Sequence, residues 1–388
     1  MRGHISLHRR RAVNCAAVSP RWLWICPLSR SESHSSPREG KYHNIFVLLK
    51  VVVTTLTVSL LLGVSVWAQT PAKGASPAAS AAPEAVPRPG LMPGCLPPPR
   101  PTEHLHKWLD PDHNVPQDAE YRTFHSKTIG HDVSYVVSLP PAYSAAPHKR
   151  YAVVYFLSGS GYSPAQSARC GVPVVHSLME KQLIPEFILV FPNGLNDLMY
   201  IDTYDKQFPN ETVIVNELIP YIDSTLRTIP DRSARSVGGY SMGGYGAAHL
   251  GFGHPDLFGS ISILDAALYL FEELRPGPGE GGFGSNFPVH AFGMNAACYN
   301  ANSPLVLLEK NADKIRGRTF IQVANGSRDK LRPGGERLHA QLDRLHIEHD
   351  FALREGMAHG QSGTIDPLTR PDLLEQYLFY KKAFAGVH

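Results

Sequence analysis

Cysteine is scarce, with five among 388 residues, too few to staple a small disulfide scaffold. The 33 glycines and 33 prolines follow no Gly-X-Y period, so a collagen-like chain is excluded. No unit recurs with a period of 20–50 residues, which excludes the common repeat arrays. Neither a P-loop nor a dinucleotide-binding fingerprint occurs. Metal-ligand spacing is also missing. His104-Leu105-His106 is an i, i+2 pair in an expected loop, and His346/His349 lacks a third partner, so both read as incidental. The sequence therefore names no metal and no cofactor. What it does have is 43% hydrophobic residues, enough to bury a core, and a length that allows one large domain or two ordinary ones.

The net charge of +3 and pI near 8.5 invite a nucleic-acid or anionic-surface partner. The distribution argues against it. Residues 1–68 hold nine Lys/Arg and two acids, a surplus of seven, which leaves −4 for the remainder. The basic segment runs into the uncharged stretch Val51–Ala68, which ends Val66-Trp67-Ala68. A basic flank, an apolar run and small residues at the −3 and −1 positions form a secretory signal, with cleavage expected after Ala68. The alternatives are a retained anchor or a buried helix. The long stretch before the apolar run also fits a start assigned too far upstream, with the true one near Val47 or Leu49. Residues 69–103 are rich in Ala and Pro and read as a semi-extended linker. The expected product is exported, periplasmic or extracellular, with no nucleic-acid partner and no stable membrane association once the leader is cleaved. An oxidising compartment would allow a Cys170–Cys298 bridge, although pairing cannot be read from sequence.

Residues 104–388 form the expected catalytic domain. Tyr121–Leu139 alternates and predicts an antiparallel hairpin. Tyr151–Leu157 and Phe187–Phe191 are continuous apolar runs, as expected of strands buried on both faces. Ile214, Leu218, Ile222 and Leu226 place a helix over Glu211–Arg227, with Asn210 as its N-cap and Pro220 as a kink or interruption. Ser236–Tyr240 reads as a strand leading into a helix from Met242. Further strands are expected at Phe258–Leu264, Arg318–Ala324 and Asp350–Leu353, and a helix at Gly335–Leu345. Strands alternating with helices predict an α/β class with a parallel sheet.

Gly239-Tyr240-Ser241-Met242-Gly243 is a G-x-S-x-G set between a strand and a helix, the context in which this motif presents a nucleophilic serine on a sharp turn. Such a serine needs a base, and the base needs an orienting carboxylate, in the chain order Ser, Asp/Glu, His. His359 lies among small residues in Gly356-Met357-Ala358-His359-Gly360, just past an expected strand. His249, His254, His290, His339, His346 and His349 fall in less suitable contexts. Asp329 follows the strand ending at Ala324 and is the preferred acid, with Glu336 and Asp265 as rivals. The oxyanion hole would use the amide of Met242 and, from the loop Ser158-Gly159-Ser160-Gly161, that of Ser160.

YFLSGSG, FPNG, NELIPYID, GGYSMGGYGAAHLGFGHPDLFG and GMAHG together resemble the "Putative esterase" family of α/β-hydrolases. That family includes S-formylglutathione hydrolases, feruloyl and acetylxylan esterases, and mycolyltransferases. The resemblance spans about Tyr121 to Phe384. It implies a single-domain α/β-hydrolase fold, a central and mostly parallel sheet with helices on both faces. It also implies the triad Ser241, Asp329 and His359 and an oxyanion hole of the Met242 and Ser160 amides. The loop Asn193–Asp202 aligns with one bordering the family's acyl pocket, where Met199 replaces a usual aromatic. Tyr240 and Asp202 are thereby substrate-binding candidates. Leu268–Asn300 looks like an insertion over the site, a lid or a sugar-binding loop. The function implied is a secreted serine esterase acting on a small-molecule or polysaccharide-linked ester, a feruloyl or acetyl ester among them. The alternatives are an acyltransferase using the same triad and a non-catalytic carbohydrate-binding protein of the same fold.

Overall fold

The computed structural model describes residues 106–275, 286–361 and 367–387. The leader, its cleavage position, the linker and the glycine-rich part of the insertion at 276–285 lie outside these residues. The apolar runs become strands as expected. β1 (Glu120–Ser126) and β2 (His131–Ser138) form an antiparallel hairpin turned at Gly130, and β2 pairs antiparallel with β4 (Phe187–Pro192). From there the sheet is parallel, through β3 (Ala152–Leu157), β5 (Arg235–Tyr240), β6 (Ser260–Leu264), β7 (Phe320–Gly326) and β8 (Asp350–Arg354). The order is β1-β2-β4-β3-β5-β6-β7-β8. Chain order departs from sheet order at β3 and β4, as in open α/β sheets that carry their sites at the carboxyl ends of the strands.

Both faces of the sheet are covered, which explains the continuous apolar runs. Along β3, Val153, Tyr155 and Leu157 face one core while Ala152 and Val154 face the other. The larger core takes in residues of α3 (Ile219–Thr225), α4 (Met242–Gly253), α7 (Pro304–Ile315) and α8 (Arg332–Arg344). The smaller lies beneath α1 (Pro164–Glu180) and α9 (Pro371–Ala383). Each fully buried Leu, Val or Phe contributes about 1.5–3 kcal/mol relative to exposure. Among the described residues, no helix is long and apolar enough to cross a membrane.

Some expectations need correction. The helix over 211–227 is interrupted, as Pro220 led one to expect, but the break falls ahead of the proline. A short helix, α2 (Asn210–Val213), passes into one π-helical turn at Ile214–Leu218 before α3 begins. Pro220 has no N–H to give to the preceding turn, and the wider turn absorbs that loss. Asn210 is the first helical residue and does not cap it. Asp202 caps from outside, accepting from the Thr212 amide at 3.0 Å and from Thr212 Oγ1 at 2.6 Å. Cys170 and Cys298 are not joined by a disulfide. The described parts of the insertion are packed into the core. Phe287, Phe292 and Tyr299, the last in α6 (Ala296–Asn302), are buried, Tyr299 Oη donates to the Tyr269 carbonyl at 2.6 Å, and Arg337 of α8 holds Glu273.

Asp110, just ahead of β1, is buried. Its carboxylate accepts from the Asp112 amide at 2.8 Å, and its own amide donates to Ser134 Oγ at 2.9 Å. Burial pushes its pKa up to about 6, against the lowering effect of the Asp112 amide. A raised carboxyl pKa means the folded state holds the proton more tightly than the unfolded one. Stability is therefore lost as pH rises from about 4 to about 6. Asp110→Asn keeps the acceptor and removes this loss. It should be more stable than the parent at pH 7.5, by up to about 3 kcal/mol, with the gap closing towards pH 4. Urea unfolding at the two pH values measures the difference.

Candidate active site

β5 ends in Tyr240, and α4 begins at Met242, which leaves one residue for the turn. Ser241 makes that turn at φ 58° and ψ −118°, a region that costs a non-glycine residue on the order of 1–3 kcal/mol. The turn closes only because its flanks lack side chains. A Cβ at Gly243 would stand 1.9 Å from the Leu157 carbonyl oxygen, and one at Gly239 would stand 2.4 Å from the Gly243 oxygen. The start of α4 therefore lies directly against the end of β3. The Ser241 amide donates to the Leu264 carbonyl at 2.9 Å, and the Ser241 carbonyl accepts from Ala267 at 3.1 Å, fixing the turn to the end of β6.

The three residues expected to act together are brought together. His359 Nε2 is 3.0 Å from Ser241 Oγ, and His359 Nδ1 is 2.9 Å from Asp329 Oδ2. A carboxylate only accepts, so Nδ1 carries the proton towards Asp329 and Nε2 accepts from the serine hydroxyl. Asp329 is buried, and its other oxygen accepts from the Leu331 amide at 2.8 Å. The rivals have other partners. Glu336 pairs with Arg332 on the surface of α8 at 3.2 Å. Asp265 is fully buried and accepts from the Gly326 amide at 3.0 Å, joining the ends of β6 and β7. The loop bearing His359 is held from the same direction, since Arg328 donates to the Met357 carbonyl at 2.9 Å.

Met242 occupies the first position of α4, where a helix N–H has no intrahelical acceptor. Ser160 lies in the loop after β3, which the close approach at Gly243 sets beside α4. Tyr240 is packed among Gly159, Tyr162 and Gly360 with its ring centroid 6.0 Å from that of His359, and burial pushes its phenol well above the usual range. Its ring helps wall an apolar cavity whose other sides include Phe156, Cys170, Phe191 and Tyr380. Asp202 is not part of this arrangement, because Thr212 engages both its oxygens.

Two residues that matter to the geometry, Tyr200 and Asp197, carry no motif in the sequence. Tyr200, next to Met199, is fully buried and donates to the Ser158 carbonyl at 3.0 Å, while its ring fills the space a Gly246 side chain would need. An aromatic thus stands one position after Met199. Asp197, in the same loop, lies between His106 and His290, which face it from 2.7 and 2.9 Å. These two histidines hold its carboxyl below the usual range, against the opposing effect of burial. In sequence His106 pairs only with His104. Its actual partners are 91 and 184 positions away, beyond any spacing rule.

The nucleophile turn at the end of a central parallel strand, with acid and histidine on later strand ends, defines an α/β-hydrolase. Residues 126–344 match the family described as "Putative esterase", and the chain belongs to that family. It is 30% identical over 162 residues to an endo-1,4-beta-xylanase/feruloyl esterase of Xylanibacter ruminicola, covering 39% of this chain and 22% of the relative. It is 26% identical over 151 residues to an esterase of Mycobacterium tuberculosis, covering 36% of this chain and 30% of that one. The matches thus span under a third of the curated relatives' length. Among solved structures, a ferulic acid esterase superposes with a TM-score of 0.57 at 23% identity, covering 69% of this chain and 98% of that chain. An S-formylglutathione hydrolase from Staphylococcus aureus gives 0.53 at 17% identity, covering 67% and 99%. These likenesses establish the fold.

Tyr200→Phe would leave the Ser158 carbonyl without this donor. It should cost about 1–3 kcal/mol of stability and lower kcat more than it raises KM. Urea unfolding and steady-state kinetics on a short ester check both.

Proposed function

We propose that this protein is an exported serine esterase that cleaves a carboxylic ester through an acyl-enzyme. The observation that carries the reading is the continuous hydrogen-bonded chain from Ser241 through His359 to Asp329, in a member of an esterase family. Ser241 Oγ attacks the ester carbonyl while His359 Nε2 takes its proton. Asp329 keeps the imidazole in the tautomer that can do so. The Met242 and Ser160 amides receive the negative charge on the carbonyl oxygen, and loss of one such donor typically costs a factor of about 10²–10³. His359 then returns the proton to the leaving alcohol, and water, deprotonated by the same nitrogen, releases the acid.

The substrate favoured is a feruloyl or acetyl ester on a polysaccharide side chain. Support comes from the relative named as an endo-1,4-beta-xylanase/feruloyl esterase. Export rests on the basic flank, apolar run and small residues before Gln69.

Ser241→Ala should abolish hydrolysis of short p-nitrophenyl esters and labelling by a fluorophosphonate probe while leaving the unfolding midpoint close to that of the parent. Turnover that persists at the parental rate rejects the triad. Asp329→Asn should lower kcat by about 10⁴, as expected where the histidine takes the wrong tautomer, whereas Glu336→Gln should leave it nearly unchanged. Rate measurements on the two variants side by side test the choice of acid.

A further inference from the structure

Three distant segments meet at one buried carboxylate. His106 comes from the strand-free stretch before β1, Asp197 from the loop after β4, and His290 from α5 (Phe287–His290) in the insertion. His106 Nε2 stands 2.7 Å from Asp197 Oδ1, and His290 Nδ1 stands 2.9 Å from Asp197 Oδ2. The ligand-capable atoms of all three residues lie within 4.8 Å of one another. The Asp197 side chain is 3% exposed, while those of His106 and His290 are 17% and 31% exposed, so the group is closed on the carboxylate side and reachable past the histidines. Phe208 packs against the His106 ring with centroids 5.1 Å apart, giving the group an apolar flank.

We infer that His106, Asp197 and His290 form a binding site for a divalent transition-metal ion, with Zn²⁺ the best match. Two imidazoles and a carboxylate are a recurrent zinc donor set, and three protein ligands leave a fourth position for water. With zinc–ligand bonds of about 2.0–2.2 Å, tetrahedral donors stand about 3.3 Å apart, so the group must open by roughly half an ångström. The chain offers a useful contrast. Glu211 also lies between two histidines, His249 at 2.9 Å and His254 at 2.7 Å. There the three groups do not offer ligand atoms that all lie within 4.8 Å of one another, whereas those of His106, Asp197 and His290 do. A bound ion would join the insertion and the segment before β1 to the loop that carries Tyr200.

The test uses the full chain without a histidine tag, stripped with EDTA and titrated with ZnCl₂. About one saturable equivalent should bind by calorimetry and raise the unfolding temperature. Co²⁺ in its place should give the intense visible absorption of a four-coordinate site. His106→Gln, Asp197→Asn and His290→Gln should each weaken Zn²⁺ by at least about a hundredfold, since loss of a direct ligand exceeds the 10–100-fold typical of outer-shell partners. His349→Gln, in the separate His339–Asp343–His349 group, should change nothing. No saturable binding, a six-coordinate Co²⁺ spectrum in the unsubstituted chain, or binding that survives His106→Gln with His290→Gln overturns the assignment. The spectrum decides even if a variant folds poorly. Ester turnover is not the readout, so this result and the fate of the Ser241 reading are independent.

Discussion

The site depends on how closely α4 approaches β3. At Gly243 the helix backbone sits where a side chain would meet the Leu157 carbonyl at 1.9 Å, and at Gly239 one would meet the Gly243 oxygen of the helix at 2.4 Å. Any Cβ at these positions pushes the two elements apart, and a packed interior does not absorb such a shift cheaply. This contact sets the first amide of α4 beside the loop Ser158–Gly161 and holds Ser241 in a backbone conformation that it would not choose alone. The strain is local. The hydrogen bonds that offset it come from β6, through the Leu264 carbonyl and the Ala267 amide.

Buried and half-buried carboxylates carry the second level of organisation, and each is balanced differently. Asp265 takes the Gly326 amide and ties neighbouring strand ends together. Glu211 lies between His249 and His254, which keep its carboxyl far below the ordinary range although burial acts the other way. Asp329 has the Leu331 amide on one oxygen and His359 on the other. Only in the last case does the histidine pass on to a strained serine. Chemical character therefore follows from what lies beyond the His–carboxylate pair, because the pair itself recurs as a structural device.

Much of this architecture is legible in the chain. The apolar runs at 151–157 and 187–191 are readable because a strand covered on both faces tolerates few polar residues. Ser241 is readable because the turn demands glycine around it. His359 follows from small neighbours after a strand. Less is legible where long-range packing overrides local preference. α1 contains Gly171 and Pro173, which read as breakers. It persists because Ser163 caps its first turn, accepting from Gln166 at 2.9 Å, and because Ala168, Val172, Val175 and Leu178 bury one face. The strands at 260 and 320 begin two residues later than their apolar patterns suggest. Gly259 is pressed against the Arg232 carbonyl there and serves the connection. The role of Asp202 as acceptor from Thr212 is not legible, because an acid in a site-bordering loop and an acid capping a helix from outside have the same local sequence.

The loop after β4 shows why the least predictable part of the molecule is also the part through which its segments communicate. Leu195, Asn196, Met199 and Tyr200 all have positive φ, a conformation that no sequence of bulky residues favours by itself. Such a loop keeps its shape only if its surroundings over-determine it. Tyr200 supplies one set of constraints, through its hydroxyl to Ser158 and its ring against Gly246. Asn193 supplies another, donating to the Lys107 and Trp108 carbonyls at 2.9 and 3.1 Å. Asp197 supplies the third, through His106 and His290. One strained loop thus takes its conformation from β3, from the segment before β1 and from the insertion. A change that loosens the histidine end acts on the same backbone whose other end steadies the loop beside Ser241.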